Sequence, residues 1–357
     1  MAILNEDQTM LRDMAREWTD NEAPIAAFRR MRDAAPAAGY DTALWQAQAE
    51  MGWAGVLVPE AHGGAGMGYL SLGLVIEQLG RNLVASPLAA TAAATSAIVL
   101  GGSDAQQAAW LPRIASGEVV ATLAVDEGPH FTPDRIAARV DGGALTGTKK
   151  FVAEGDGADL FVVAATDGLY LVEAGAGVTR HARKLADARS HAEIAFADAP
   201  AERLAGGGDA FLQAVTDRAA AATAAEMLGM AEAAFHQIND YLKQRVQFGQ
   251  PLSTFQALQH RMARMLTELE LMRSVVEAAL EAIDAGRSDV DQAVSLAKAL
   301  ASETLHLVSR EMVQLYGGVG MTDEYDAGLY LKRARVLEMM WGNAAWHRDR
   351  FARLNGY

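Results

Sequence analysis

The sequence predicts a multidomain α+β protein, with an N-terminal all-α domain, a middle β-barrel or β-sandwich domain and a C-terminal four-helix bundle. Three observations predict it. Residues 1–118 carry apolar side chains at helical spacing. Residues 119–206 hold short β-branched and aromatic runs separated by Asp-Gly and Gly-Gly turns. Residues 207–357 return to long helical stretches joined by short loops, the pattern of antiparallel bundle neighbours. A length of 357 residues also exceeds what one simple core organises.

In order along the chain, Asn5 to Trp18 places apolar residues at 10, 11, 14, 15 and 18, one stripe of a helix. A second helix runs from Tyr40 to Met51, with Asp41 or Thr42 as its capping candidate. The Gly63-Gly-Ala-Gly66 run reads as a loop, because no strand precedes it and no GK[ST] ending follows. Leu70 to Gly80 is helical and ends on a glycine. Strands are expected at 119–125, 144–152, 160–165 and 169–173, and Gly206 to Gly208 reads as a hinge. Helices follow at about 216–245, 253–286, 289–316 and 325–354.

The chain has no cysteine, which excludes a disulfide framework, a thiol nucleophile and thiolate-bound metal or Fe–S clusters. A formal net charge of −14 argues against nucleic acid as a partner. The N-terminus lacks a basic region followed by an apolar core. The most apolar stretch, 84–100, is Ala-rich, contains Pro87 and falls short of the ~18 strongly apolar residues of a membrane span. These features predict a cytoplasmic protein that does not enter membranes. His236, His260 and His347 form no metal-spaced set, so no metal site is expected.

Two runs carry a family resemblance. Arg245-Val-Gln-Phe-Gly-Gln-Pro-Leu-Ser-Thr-Phe-Gln256 follows the long Ala-rich helix, and Gln314-Leu-Tyr-Gly-Gly-Val-Gly320 comes later. Together with Leu44 to Glu60 and the glycines at 63–66, they resemble the acyl-CoA dehydrogenase family over nearly the whole chain. The resemblance implies FAD as cofactor, an acyl-CoA substrate dehydrogenated between its α and β carbons, and an electron-transfer flavoprotein as acceptor. It implies that Arg245, Phe248 and Gln256 contact the adenosine end of a flavin bound mainly by a neighbouring subunit, and that Gln314, Gly317 and Gly318 face the same flavin. Taken alone, Arg245 is equally a cation at a helix C-terminus, and the glycines an ordinary loop.

The middle domain departs from the family's pattern. Its usual Thr-Glu-Pro and Gly-Ser-Asp runs are replaced by Ala124-Val-Asp-Glu-Gly-Pro-His-Phe-Thr-Pro-Asp134. The Trp-Ile-Thr motif appears as Phe151-Val152-Ala153, which keeps an aromatic to lie against flavin and loses the hydroxyl. Trp341 stands where the family commonly supplies its catalytic Glu, and indole cannot act as a base. Glu338, three residues earlier, reads as a solvated carboxylate.

Some members place the base on the helix before the Arg motif, which leaves two candidates. Asp217 precedes Arg218, as in those members, but lies two residues too far upstream; its other reading is a carboxylate near a helix N-terminus. Glu226 is a lone carboxylate among Ala219, Ala222, Thr223, Gly229, Met230 and Ala233. It is either a base or half of a buried ion pair.

Gly317 to Asp326 resembles the small subunits of heteromeric bacterial enzymes of this family, including pimeloyl-CoA and steroid side-chain dehydrogenases. The implied function is one subunit of an α2β2 acyl-CoA dehydrogenase. The alternatives are a self-sufficient homo-oligomer using Glu226 or Asp217, and a non-catalytic structural or binding subunit.

Overall fold

The computed structural model describes residues 3–357. Six helices come first: α1 (Glu6–Glu22), α2 (Ile25–Ala34), α3 (Thr42–Glu50), α4 (Gly68–Arg81), α5 (Leu88–Gly101) and α6 (Asp104–Ala115). Eight strands follow: β1 (Ala121–Ala124), β2 (Arg139–Asp141), β3 (Ala144–Ala153), β4 (Leu160–Ala165), β5 (Gly168–Glu173), β6 (Val178–Ala182), β7 (His191–Pro200) and β8 (Glu202–Arg203). The chain then returns to helix in α7 (Asp209–Gln244) and makes a hairpin of β9 (Val246–Gln247) and β10 (Gln250–Pro251). It ends with α8 (Gln256–Asp284), α9 (Val290–Tyr316), α10 (Ala327–Met339) and α11 (Ala344–Leu354). No helix among the described residues is long and apolar enough to cross a membrane.

The chain forms two compact units. The helical unit comprises Met1–Phe28, Gly73–Val84 and Ala221–Tyr357; the mixed unit comprises Arg29–Leu72 and Ala85–Ala220. In the mixed unit, one sheet has strand order β1-β4-β5-β8 and the other β2-β3-β7-β6. The β1–β4 pair is parallel and the remaining pairs are antiparallel. Both sheets feed one core, in which Phe161, Val163 and Val172 of the first lie with Leu145, Ile194 and Phe196 of the second. The expected strands are present. The sequence reading missed the short strands β2 and β8, and also β6 and β7, whose Thr-Arg-His and Ala-rich compositions lack a strong β-branched signal. It also missed α2, α5 and α6. The apolar stretch at 84–100 folds as α5, a helix buried on nearly every side.

In the helical unit, α9 packs against α8, α10 and α11. Its buried residues Val294, Ala297, Ala301, Leu305, Val308 and Met312 recur at three and four, so one face supplies the bundle core. Helices α4 and α7 meet at backbone contact. A Cβ on Gly229 would lie 1.9 Å from the Glu77 carbonyl oxygen, and one on Gly80 would lie 2.5 Å from that of Glu226. Helix α1 starts on an Asn5–Gln8 capping box. It packs through its small residues Ala15 and Thr19 and leaves Met10 and Met14 of the expected stripe exposed.

The helix expected over 325–354 is interrupted. Trp341 (φ +56°) and Gly342 (φ +95°) are left-handed, which ends α10 at Met339, and α11 restarts after the Asn343 cap.

Candidate functional site

Helix α7 runs out at Gln244, and the chain turns at once through the β9–β10 hairpin. The Arg245 amide still donates to Tyr241, one turn back, at 2.8 Å. The Arg245 carbonyl accepts from Leu252 at 2.8 Å, which closes the hairpin across its base. Arg245 and Gln256 are exposed. Phe248 sits at the tip in a left-handed conformation (φ +55°), 88% exposed, with its ring edge-on to Phe255 at 6.1 Å. An exposed aromatic held at strained φ projects a hydrophobic face outward.

A second loop lies next to this helix end. Tyr241 stacks on Tyr316 at 4.3 Å and 9°, and Tyr325 packs edge-on to both rings. The Tyr241 hydroxyl donates to the Tyr316 carbonyl, and the Tyr316 hydroxyl to the Gln237 carbonyl, each at 3.3 Å. Those bonds are long for O–H···O, so the ring stack supplies most of the hold. Burial pushes the Tyr316 phenol up to about 12, which keeps it a neutral donor. The clamp fixes the residue just before Gly317 to the α7 turn just before Arg245.

After Tyr316 the chain enters Gly317 at φ +67°, ψ −142°, a conformation closed to other residues. A Cβ at Gly317 or Gly318 would meet no protein atom within 4 Å. Both glycines line a cavity of about 640 Å³, with Gln314, Arg261, Arg310 and Glu311. Arg261 is neutralised by Glu311 at 2.7 Å. The Arg310 guanidinium lies 3.3 Å from the Nε2 of His306.

Thus Gln314, Gly317 and Gly318 share one cavity wall, and the Tyr241–Tyr316 stack ties it to the Arg245 hairpin. Arg261, Arg310 and Glu311 escaped the sequence reading. The available signal was spacing: Arg310 precedes Gln314 by one helical turn.

The carboxylates are arranged differently. Glu226 is paired with Arg333 of α10 in a fork: Nε donates to Oε1 at 2.8 Å and Nη2 to Oε2 at 2.9 Å. Both residues are buried, at 8% and 7% exposure. This is the ion-pair arrangement of the two expected for Glu226. Asp217, in the mixed unit, is also buried, and its Oδ1 accepts from Gln213 at 3.1 Å. Its neighbour Arg218 bonds the Ala214 carbonyl and lies 5.7 Å from the Tyr69 ring.

The turn bearing Trp341 is held from below. Lys298 of α9 is fully buried and donates to the Gly342 carbonyl at 3.0 Å, to the Ser302 hydroxyl at 3.2 Å and, more weakly, to the Glu338 carbonyl at 3.5 Å. Burial pushes its pKa down to about 7. The Nε2 of His347 lies 2.9 Å from the Trp341 carbonyl, and burial, followed by the Lys298 charge, pushes that imidazole down to about 3. A neutral ring with Nε2 protonated therefore donates to the carbonyl. Glu338 is not the solvated carboxylate that the sequence suggested. It pairs with Arg335 and lies 3.3 Å from His306, because the end of α10 turns it onto α9.

In the mixed unit, Phe151 is left-handed (φ +54°) and 43% exposed on β3. On the same strand, Lys149 is buried and donates to the Val125 carbonyl at 3.0 Å and to Glu127 at 2.6 Å. Burial pushes Asp126 up to about 7. A cavity of about 340 Å³ in this unit is lined by Asp134, Asp167 and Asp209 among apolar and neutral residues, and no cation lines it.

Comparison with known proteins places these features in a family. Residues 5–118 match the model of the acyl-CoA dehydrogenase N-terminal domain, and residues 205–354 that of the C-terminal domain. The chain is 34% identical over 341 residues to acyl-CoA dehydrogenase IpdE2 of Mycobacterium tuberculosis, covering 92% of this chain and 91% of that protein. Its fold superposes on a chain of the ChsE4-ChsE5 complex from Mycobacterium tuberculosis with a TM-score of 0.92 at 26% identity, covering all of both chains. It superposes on a chain of the Tcur3481-Tcur3483 steroid ACAD with a TM-score of 0.90 at 32% identity, covering 98% of each. The chain belongs to the acyl-CoA dehydrogenase family.

Proposed function

We propose that this chain is a subunit of a heteromeric, FAD-dependent acyl-CoA dehydrogenase, and that it completes a flavin site carried mainly by a homologous partner subunit. The observation that carries this reading is the contrast between the two cavities. A flavin dinucleotide and an acyl-CoA are both anionic. The cavity beside Gly317 and Gly318 presents the guanidiniums of Arg261 and Arg310 against the one carboxylate of Glu311, and open space where side chains would otherwise stand. The cavity of the mixed unit presents three carboxylates. In a chain of net charge −14, a locally cationic surface favours a diphosphate.

The residues fit the nucleotide end of FAD. Arg245 presents a guanidinium fork for phosphate, Phe248 an exposed aromatic face, and Gln256 and Gln314 amides. The glycines at 317 and 318 allow close backbone approach. Bound flavin supplies the hydride acceptor for the β carbon of the acyl chain. What this chain adds is hold and orientation. A carboxylate for α-proton removal is best sought on the partner: both oxygens of Glu226 are engaged by Arg333, and Trp341 is no base. The ChsE4-ChsE5 complex and the Tcur3481-Tcur3483 enzyme support the assembly, and the steroid ACAD description of the latter supports a steroid-type acyl group. Electron-transfer flavoprotein as acceptor and a cytoplasmic location belong to the same reading.

The test is to purify the chain alone and after co-expression with a homologous acyl-CoA dehydrogenase subunit, then quantify flavin. Flavin absorbance only in the co-purified assembly is the expected result. Stoichiometric flavin and turnover in the chain alone overturn the heteromer and favour a self-sufficient enzyme, with Asp217 the next base to test. Flavin in neither sample favours a binding subunit.

A further inference from the structure

The cavity beside Gly317 holds an unbalanced charge. Arg261 is neutralised by Glu311, and Arg335 by Glu338. Arg310 faces a ring nitrogen of His306 and has no carboxylate partner among the described residues. A guanidinium on the wall of a cavity, with no carboxylate to balance it, is available to an anion that enters. Arg310 and Gln314 lie one turn apart on α9, so both address the same space. A diphosphate carries about two negative charges at neutral pH, more than one guanidinium balances. The Tyr241–Tyr316 clamp holds the Arg245 end of α7 against the loop that carries Gly317.

We propose that Arg310 is a phosphate-binding residue of the cavity and acts with Arg245 as the second cation for the diphosphate of the bound nucleotide. The inference rests on the flavin-site reading above. It adds a residue, a ligand atom class and a salt dependence that the reading alone does not contain.

The experiment uses the protein as it is isolated, alone or with its partner, with its flavin removed. FAD, ADP and adenosine are titrated by calorimetry at two salt concentrations against the unaltered protein, R310Q, R310K, R245A and R264Q. Arg264 is an exposed arginine of α8 that does not line the cavity, so R264Q makes the same change in net charge elsewhere. The expected result is that R310Q weakens FAD and ADP about tenfold, leaves adenosine unchanged and flattens the salt dependence, with partial recovery in R310K and no effect in R264Q. If R245A weakens FAD and R310Q does not, the assignment of Arg310 is overturned and the flavin-site reading stands. If neither variant changes FAD binding, both fall. Equal weakening of adenosine and ADP by R310Q also overturns the phosphate role.

Discussion

Replacing Glu226 by Gln tests the helical unit at its most consequential contact. The carboxylate and the Arg333 guanidinium form two parallel bonds, and both residues are at least nine-tenths buried. Glutamine keeps the shape and can accept one of the two bonds, but it removes the charge and leaves a guanidinium stranded. Breaking one side of such a pair costs about 3–5 kcal/mol. The site cannot relax by letting α4 move in, because Gly80 already contacts the Glu226 backbone. Urea unfolding at constant protein concentration should therefore show a lower midpoint with an unchanged slope. Arg333→Met should be about as damaging. The double variant with Met at both positions should recover most of the loss, since no charge is then left buried. Turnover per folded molecule should be preserved within a few fold. A Glu226→Gln variant of normal stability whose rate falls about 10²-fold or more would refute the ion-pair account and make Glu226 the general base.

Three further outcomes follow from contacts already described. Gly229→Ala places a methyl 1.9 Å from a backbone oxygen of α4, so the helices must separate; a loss of about 1–3 kcal/mol or more in thermal unfolding is expected, and a neutral change would mean that the contact is not that close. Glu77 is pushed up to about 7 by burial, against the pull of Arg273, which also serves Glu232 and Glu277. Its folded pKa lies above the unfolded value of 4.5, so the ionised form is the disfavoured one, and stability falls as pH rises from about 4.5 to 7, by up to about 3 kcal/mol. Glu77→Gln should remove that slope, seen as unfolding midpoints at pH 5 and pH 8 that differ less than in the unaltered protein. Trp341→Phe should leave the pH–rate profile of the assembly unchanged; a lost ionisation would contradict the absence of acid–base chemistry at this position.

Much of the fold was legible because it is written in local periodicity. The breaks after the N-terminal helices, through the β-rich centre and into long helices are changes of period from 3.6 to 2 and back. Asp41 was legible as a cap: its carboxylate does accept from Ala43 and Leu44. What failed were elements with weak local signals, such as β7, where Ala192, Ile194, Phe196 and Ala199 face the core but Ala195 and Ala197 blur the alternation. The interruption of the last helix failed for a different reason. Nothing in Arg335 to His347 forbids helix except Gly342, and a single glycine is tolerated there. Lys298 bonds the Gly342 carbonyl from 44 positions upstream, and that interaction is not visible in any local window.

The site divides along the same line. Gln314, Gly317 and Gly318 are adjacent in sequence and share a wall in space, so a motif could point to them together. The meaning of Glu226 depended on a partner 107 residues away. Its helix face of small apolar residues announced a buried carboxylate, and the sequence left open whether a cation or a proton balances it. Arg333 answers with a fork, and that has a consequence for chemistry. A carboxylate held through both oxygens by a buried guanidinium must give up that pairing before it can take a proton from a substrate, at an energetic cost of the same order as the stability lost in Glu226→Gln. A general base contributes about 10²–10⁴-fold, or about 3–5 kcal/mol at 1.4 kcal/mol per tenfold. The cost of releasing Glu226 therefore consumes most of what it could gain as a base, which is the energetic reason to look for that carboxylate on another subunit.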